Sequence, residues 1–298
     1  MPKEAETDAA FSVNPSILFI NFLMTRSSQK FQSRSSLKKN RSRTNPKDEI
    51  VWGIHPVLEA LMTCPQLIRE IFIEKGKSGP RLDQIRELAR KKSVPMQEVQ
   101  LRRKTGARHD EFTDHERSQG VSARIVLPVL TLAELLPKLQ AAVGPPLLLA
   151  VDSVQDPHNL GAIIRSAVAA GVHGIILPKD RSAPLTGTVI KTSSGAVFHG
   201  DICRVPNLVN CFKLLKENGI WIFGTAREAS QSLFDTDLTL PICLVVGSEE
   251  KGLRPLVAEQ CDLHIAIPMQ SALDSLNASV AAGIILFEAV RQRRARHA

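Results

Sequence analysis

The sequence is poor in cysteine, and the spacing of its cysteines excludes two common uses of this residue. The 298-residue chain has five cysteines, no two of which form a Cys-x-x-Cys pair, and no histidines cluster at metal-ligand spacing. An odd, scattered set is typical of reduced thiols in the core of a cytoplasmic protein, because disulfide frameworks and zinc sites use paired cysteines. We therefore expect neither disulfides nor a metal site.

Long hydrophobic runs are also missing. The longest apolar stretch near the N-terminus, residues 17–24, is interrupted by Asn21. A helix needs about 20 apolar residues to span a bilayer. No membrane segment is therefore predicted.

The common nucleotide-binding and hydrolase motifs are absent. No Gly-x-Gly-x-x-Gly follows a predicted strand and no Gly-x-x-x-x-Gly-Lys-Ser/Thr occurs, which disfavours a dinucleotide-binding fold and a P-loop nucleotidase. The Gly-x-Ser-x-Gly turn that presents a catalytic serine is missing too. Because neither a helix-turn-helix nor a zinc-finger pattern is found, we do not expect DNA to be the partner.

What the chain does have is an ordinary globular composition with excess positive charge. It is 43% hydrophobic and 23% charged, and its formal net charge is +8. A summed positive field attracts phosphate backbones, so a nucleic acid is a candidate partner. Charge alone does not separate this interpretation from an ordinary basic protein.

The N-terminal segment, residues 1–48, differs from the rest. From Met24 to Pro46 it contains no acidic residue and seven basic ones among Ser, Gln and Asn, which predicts a disordered basic arm. Three interpretations of such an arm are open: a tail that binds RNA, an organelle transit segment or a solvated extension. The early acids Glu4, Glu6 and Asp8 count against a transit segment.

Residues 49–127 predict a small α/β domain. A helix opens at Pro56, and a strand (68–73), a helix (81–92) and a closing strand (121–127) follow. A basic loop precedes the closing strand, and we interpret it as either an RNA contact or a solvated surface loop. Its basic residues are Arg102, Arg103, Lys104, Arg108 and His109.

A connector, residues 128–146, leads into a second α/β domain, residues 147–298. Thr131 and Glu134 fit a capping box for a helix within the connector. The second domain opens with the continuous apolar run Leu147–Val151, which is typical of a strand buried on both faces. Strands then alternate with helices to the end of the chain, which predicts a mostly parallel sheet.

Three polar loops of the second domain each follow a predicted strand. They are Asp152–Gly161, Gly247–Leu253 and Met269–Leu276. Ligands of parallel sheets bind at the carboxyl ends of the strands, so we expect the loops to converge on one site.

Taken singly, the polar residues of these loops have simpler interpretations. Asn159 is a candidate N-cap of a helix beginning at Leu160. Arg165 could extend along an apolar helix surface or pair with a carboxylate. Glu249 could be a solvated turn acid.

The same loops resemble the motifs of the SpoU (TrmH) branch of the SPOUT RNA methyltransferases. The three motifs occur in the family's order, and further likeness to the members that methylate a guanosine ribose in 23S ribosomal RNA extends over nearly everything after residue 50. The motif-like stretches are DSVQDPHNLGAIIRSAVAAGV, GSEEKGL, and IPM followed by SLNASVA.

The resemblance implies an S-adenosylmethionine-dependent 2'-O-ribose methyltransferase. It implies a trefoil-knotted α/β catalytic domain, an N-terminal domain like ribosomal protein L30e and L7Ae that holds RNA, and a homodimer whose cofactor pocket adjoins the dimer interface. Matched residue by residue, it gives Arg165, Asn159, Glu249, Ser275 and Asn277 as catalytic-site residues, and Thr225, Gly247, Ile267 and Leu276 as cofactor contacts.

We therefore expect methylation of a guanosine in large-subunit ribosomal RNA. A tRNA ribose methyltransferase of the same branch and a non-catalytic ribosome-assembly factor are the alternatives. The chain departs from the family pattern at Ser271, where glycine is common, and at Ser118, where histidine is common.

Overall fold

The computed structural model describes residues 48–100, 119–127, 129–270 and 275–296, which all belong to one compact unit. The predicted N-terminal arm, the basic loop at residues 102–109 and both departures from the family pattern, Ser118 and Ser271, lie outside the described residues.

The first part of this unit, here called the small-sheet region (residues 48–127), is a four-stranded sheet with two helices. Strand β4 pairs antiparallel with β1 and β2, and β3 lies parallel to β2 in the order β1-β4-β2-β3. The elements are β1 (Asp48–Trp52), α1 (Ile54–Thr63), β2 (Ile68–Glu74), α2 (Pro80–Lys91), β3 (Met96–Val99) and β4 (Val121–Val126).

Helix α2 and strands β2 and β4 lie where the sequence predicts them, whereas helix α1 begins at Ile54, two residues before the predicted start at Pro56. Helix α2 begins at Pro80 and buries Leu82, Ile85 and Ala89 on one face, which is the helical spacing that indicated it. Strands β1 and β3 were not predicted. Strand β1 is short, and the side chains of β3 do not alternate between buried and exposed.

The connector helix α3 (Leu132–Gln140) confirms the predicted capping box. The backbone N–H of Thr131 donates to Glu134 Oε2 at 2.8 Å, and the Thr131 side chain accepts from the helix backbone in return. The pKa of Glu134 is held below its ordinary value by the hydrogen bonds that its carboxylate accepts from the Thr131 backbone N–H and from the Thr131 hydroxyl, which donates at 2.8 Å.

The second part, here called the large-sheet region (residues 130–296), contains a seven-stranded sheet. All its strand pairings are parallel, in the order β7-β6-β5-β10-β8-β11-β9. This confirms the predicted mostly parallel sheet. Its strands are β5 (Leu147–Val151), β6 (Gly174–Pro178), β7 (Ile202–Val205), β8 (Trp221–Thr225), β9 (Gln231–Ser232), β10 (Ile242–Val246) and β11 (Leu263–Ala266).

Helices connect these strands and cover the sheet. Strands β5 and β10 are buried along their whole length, as their apolar runs predict. Helix α5 and strand β7 were not predicted, because each is too short to show a period. The helices are α4 (Pro157–Ala169), α5 (Gly187–Thr192), α6 (Leu208–Glu217), α7 (Pro255–Ala258) and α8 (Ala278–Ala295).

The cysteines lie where the sequence analysis expects core thiols. Cys64, Cys203, Cys211 and Cys243 are buried, Cys261 is partly buried, and all five are free. Burial raises the pKa of Cys64 to about 11 and that of Cys203, Cys211 and Cys261 to about 12. These thiols are therefore protonated at neutral pH and poorly reactive.

No helix within the described ranges is long and apolar enough to cross a membrane. In the same ranges, no group of three or more His, Cys, Asp or Glu side chains could hold a metal ion.

The small-sheet region packs closely against helix α5 of the large-sheet region. A Cβ atom on Gly187 would lie 2.1 Å from the carbonyl oxygen of Ile50 and 2.5 Å from the ring of Trp52. Only a glycine therefore lets strand β1 approach the start of α5 this closely.

We expect Gly187→Ala to lower the free energy of unfolding by about 2 kcal/mol, because overpacking against backbone costs roughly 1–3 kcal/mol. Gly283→Ala is the matched control, since a Cβ there would meet only Ser166 Oγ at 3.9 Å and alanine favours helix. Urea denaturation followed by circular dichroism measures both. Equal stability of the two variants would contradict the close approach of β1 to α5.

Candidate active site

The three polar loops meet at the carboxyl edge of the large sheet, as the sequence predicts. Strands β5 and β10 are neighbours, and β8 separates β10 from β11. The loop after β5 enters α4, the loop after β10 turns back at Gly252, and the chain after β11 enters α8.

The carboxylate of Glu249 joins these loops. Its Oε1 accepts hydrogen bonds from Asn159 Nδ2 at 2.6 Å, from Asn277 Nδ2 at 3.3 Å and from the backbone N–H of Ala278 at 3.2 Å. Asn277 Nδ2 also donates to Asn159 Oδ1 at 3.0 Å. Glu249 is half-buried and its Oε1 accepts three hydrogen bonds, so its interpretation as a solvated turn acid is wrong.

Asn159 is not a helix cap, which corrects another of the simpler interpretations. Helix α4 begins at Pro157, and the Asp156 side chain accepts from the backbone N–H groups of His158 and Asn159. Asp156 is the N-cap because proline at the next position is preorganised for the first helical turn. The side chain of Asn159 is therefore left to bind Glu249.

Asn277 has two roles at the start of α8. Its Oδ1 caps the helix by accepting from the Ser279 backbone N–H at 2.9 Å and from Ser279 Oγ at 2.6 Å. Its Nδ2 donates into the Glu249 cluster. The entry to the final helix is thus fixed by the same cluster that links the other two loops.

A tight backbone turn presents Glu249. Ser248 and Gly252 exchange two backbone hydrogen bonds of 3.1 and 2.9 Å, and Gly252 has φ of 62°. A Cβ atom on Gly247 would lie 2.2 Å from the carbonyl carbon of Gly252. Both glycines are needed for the turn to close, and Gly247 offers bare backbone at the end of β10.

The four residues expected to contact a cofactor lie along three neighbouring strand ends. Thr225 ends β8, Gly247 follows β10 and Ile267 follows β11, while Leu276 precedes α8. The Thr225 hydroxyl donates to the Val245 carbonyl at 3.0 Å, which ties β8 to β10 at this edge. The strand ends at Thr225, Gly247 and Ile267 are adjacent in the sheet and are here called the wall, and Leu276 lies one residue before Asn277 of the Glu249 cluster.

Arg165 stands apart from the Glu249 cluster. It lies six residues after Asn159 on α4, about 9 Å further along the helix axis. Its side chain is exposed, and Nη1 donates to Ser194 Oγ at 3.0 Å. The side chain of Arg165 therefore pairs with a serine hydroxyl. The simpler interpretation had predicted a carboxylate as its partner.

Ser275 lies exposed in the loop directly before Leu276. Of the five expected catalytic-site residues, the structure brings Asn159, Glu249 and Asn277 into mutual contact.

Sequence reasoning missed an ion pair beneath this site. Asp152 is fully buried directly after β5. Its Oδ1 accepts from Arg254 Nε at 2.7 Å, and its Oδ2 accepts from the Arg254 backbone N–H at 2.9 Å. The position of Asp152 directly after a buried strand was a signal in the sequence. No local sequence pattern indicates that its partner is Arg254, which is distant in the chain.

Two family models match this chain. The one described as the SpoU rRNA Methylase family matches residues 146–287. The one described as RNA 2'-O ribose methyltransferase substrate binding matches residues 50–128.

Similar proteins extend over most of the chain. A protein of Xanthomonas axonopodis pv. citri named 23S rRNA (guanosine-2'-O-)-methyltransferase RlmB is 43% identical over 242 residues, covering 81% of this chain and 95% of its own. The protein of that name from Escherichia coli K12 is 43% identical over 245 residues, covering 82% and 99%.

Among solved structures, the SpoU methyltransferase AviRb from Streptomyces viridochromogenes in complex with AdoMet superposes with a TM-score of 0.70. It is 28% identical, and the match covers 86% of this chain and 95% of that chain.

We expect Asp152→Ala to lower the free energy of unfolding by about 3 kcal/mol or more, because removing one partner of a buried pair leaves the other uncompensated. Asp201→Ala is the matched control: its partner is Lys138, and both side chains are over a third exposed, at 36% and 51%. The loss of unfolding free energy in Asp201→Ala should stay under about 1 kcal/mol, because the ion pair is exposed.

Urea denaturation measures both variants, and the double variant Asp152→Ala/Arg254→Met isolates the pair. It should be more stable than Asp152→Ala alone. An Asp152→Ala variant as mildly affected as Asp201→Ala would contradict the buried pair.

Proposed function

Because the chain belongs to the SpoU rRNA methylase family, we propose that it methylates the ribose 2'-hydroxyl of a guanosine in 23S-type ribosomal RNA, with S-adenosylmethionine as the methyl donor. The observation that carries the proposal is the Glu249 carboxylate, which unites the three motif loops through Asn159 and Asn277. Relatives matched over nearly their full length support the choice of RNA.

The cofactor binds along the wall of strand ends. Gly247, Ile267 and Leu276 would offer backbone groups to the cofactor, and Thr225 would lie near its adenine. Gly247 fits this role because it carries no side chain at the point where β10 ends and the turn closes. When bound, S-adenosylmethionine supplies an electrophilic methyl group on a sulfonium that leaves as a neutral thioether.

Arg165 acts on the RNA. A guanidinium is a poor base, so its contribution is electrostatic. It stabilises the negative charge that develops on the ribose 2'-oxygen and binds the adjacent phosphate. The proton of the 2'-hydroxyl leaves to phosphate or water.

The Glu249 cluster holds the remaining polar groups in place. Glu249 fixes the side-chain amides of Asn159 and Asn277 and the first N–H of α8. Ser275 and Asn277 face the reacting ribose. Positioning of this kind lowers the barrier by holding the nucleophile in line with the methyl group.

The proposed architecture completes the family pattern. Residues 49–127 form an RNA-binding domain similar to L30e and L7Ae, residues 128–146 form a linker, and residues 147–298 form a trefoil-knotted catalytic domain. The basic arm, residues 1–48, adds positive charge for RNA.

The catalytic domain forms a homodimer through α8. Val280 and Phe287 on this helix are 49% and 50% exposed. Seven residues make nearly two helical turns, so both side chains lie on one face. This face of α8 begins beside Asn277, so the proposed dimer interface lies next to the wall of strand ends.

We expect Arg165→Ala to lower the methylation rate by about 10²–10³-fold, as loss of a group that stabilises a developing oxyanion does. Affinity for S-adenosylmethionine, measured by calorimetry, should be unchanged. Arg165→Lys keeps the positive charge but removes the forked geometry of the guanidinium, so it should retain part of the methylation rate. Lys213→Ala removes an exposed cation elsewhere in the large-sheet region and should be fully active.

A fully active Arg165→Ala variant would refute the role of Arg165. If the wild-type protein itself fails to bind S-adenosylmethionine, the non-catalytic assembly factor is favoured instead.

The substrate is tested by mapping ribose methylation across ribosomal and transfer RNA in cells with and without the gene. We expect one guanosine of the large-subunit RNA to lose its methyl group. Loss confined to a tRNA position would identify a tRNA methyltransferase.

We expect Phe287→Glu to shift the protein from dimer to monomer in sedimentation velocity, because it introduces charge into an apolar interface. Phe234→Glu is the control, since Phe234 is similarly exposed at 54% but lies outside α8. A dimer that survives Phe287→Glu, or a wild-type monomer, would contradict the α8 interface.

A further inference from the structure

Arg165 is held by a segment that none of the three motif loops contains. Its partner Ser194 lies in residues 193–199, here called the bracket, between α5 and β7. Ser194 has φ of 54° and Gly195 has φ of 83°, so two successive residues adopt the left-handed conformation. This conformation is costly for serine, and surrounding contacts must impose it.

One end of the bracket is fixed to helix α4, which carries Arg165. Thr192 directly precedes the bracket, and its Oγ1 lies 3.3 Å from the Pro157 carbonyl oxygen, although its single proton has a nearer acceptor in the Thr188 carbonyl at 2.9 Å. A Cβ atom on Gly161 would lie only 1.9 Å from the same hydroxyl oxygen. Ser193 is fully buried, and its hydroxyl donates to the Ile190 carbonyl. The close packing of Thr192 against Gly161 therefore holds this end of the bracket against α4.

The other end of the bracket contacts the small-sheet region. Glu59 Oε1 on α1 lies 2.5 Å from His199 Nε2, and Thr63 Oγ1 lies 3.4 Å from the same nitrogen. A Cβ atom on Gly195 would come within 2.5 Å of Glu59 Cγ. The Glu59 side chain thus covers Gly195 and reaches His199, so it spans most of the bracket.

These contacts form a continuous path from Glu59 through Gly195 and Ser194 to Arg165. We propose that the bracket sets the orientation of Arg165 according to how the RNA-binding region is seated, so that Ser194 and Glu59 are positioning residues for methyl transfer. The inference rests on the proposed function of Arg165 and deepens it.

The physical basis is that Arg165 is otherwise exposed. A long, solvated arginine samples many rotamers, and ordering it during the reaction costs entropy. The Ser194 hydroxyl accepts one N–H of the guanidinium and leaves its other donors for the ribose and phosphate. Because Ser194 acts through Arg165, its loss should change the rate at saturating substrate more than it changes binding.

The first test separates the hydroxyl from the backbone conformation. Ser194→Gly removes the acceptor at a residue whose φ glycine adopts freely, and it should lower kcat about tenfold with KM for RNA and cofactor affinity unchanged. Ser194→Asn keeps a side-chain acceptor and tolerates the same φ, so it should retain most of the rate. A wild-type kcat for Ser194→Gly, or equal losses in both variants, would overturn the proposal.

The second test asks whether Glu59 acts through the same path. Glu59→Ala should lower kcat, and the double variant Glu59→Ala/Ser194→Gly should be no slower than the slower single variant. Glu87→Ala, an exposed acid on α2 of the same region, is the matched control and should be fully active. Effects of Glu59→Ala and Ser194→Gly that multiply would show independent roles and refute the coupling.

Failure of this inference is distinguishable from failure of the proposed function. If Arg165→Ala is inactive while Ser194→Gly behaves as wild type, only the bracket proposal fails. If Arg165→Ala is fully active, the role of Arg165 fails first.

Discussion

The site depends on one partly buried carboxylate that must have donors. Glu249 sits on a turn that only Gly247 and Gly252 allow, and it takes its donors from Asn159, Asn277 and the first N–H of α8. Partners of this kind offset the cost of withdrawing a carboxylate from water, so the hydrogen bonds to Glu249 stabilise the loop after β5, the loop after β10 and the start of α8 against one another. The wall proposed to bind the cofactor lies at the same edge of the sheet as this cluster.

Much of this arrangement could be predicted from sequence, since it follows from local patterns. Continuous apolar runs indicated buried parallel strands, and the carboxyl ends of such strands share an edge, which predicted that the loops meet. The misassigned cap of α4 was also a local matter, because Asp156 followed by Pro157 is the stronger start signal. What sequence could not supply were pairings between distant residues, such as Asp152 with Arg254 and Glu59 with His199.

Helix α4 carries two different duties at two points along its length. Its first turn joins the Glu249 cluster through Asn159, and Arg165 lies about 9 Å further on, where Ser194 holds it. A helix is stiff over this distance, so the group that completes the motif cluster and the group proposed to contact RNA keep a fixed separation. Within the described residues, the small-sheet region reaches the second of these points through the contact of Glu59 with the bracket.

The order of the large sheet also constrains how the chain acquires its structure. Strand β5 ends at Val151, yet its partner β10 begins only at Ile242, and the two lie at the centre of the sheet. Non-local parallel pairing of this kind is slow, because a long loop must close before the pairing stabilises it. During synthesis, β5 can pair with β6 early, but its edge toward β10 stays unpaired until Ile242–Val246 have been made, and an unpaired strand edge favours aggregation.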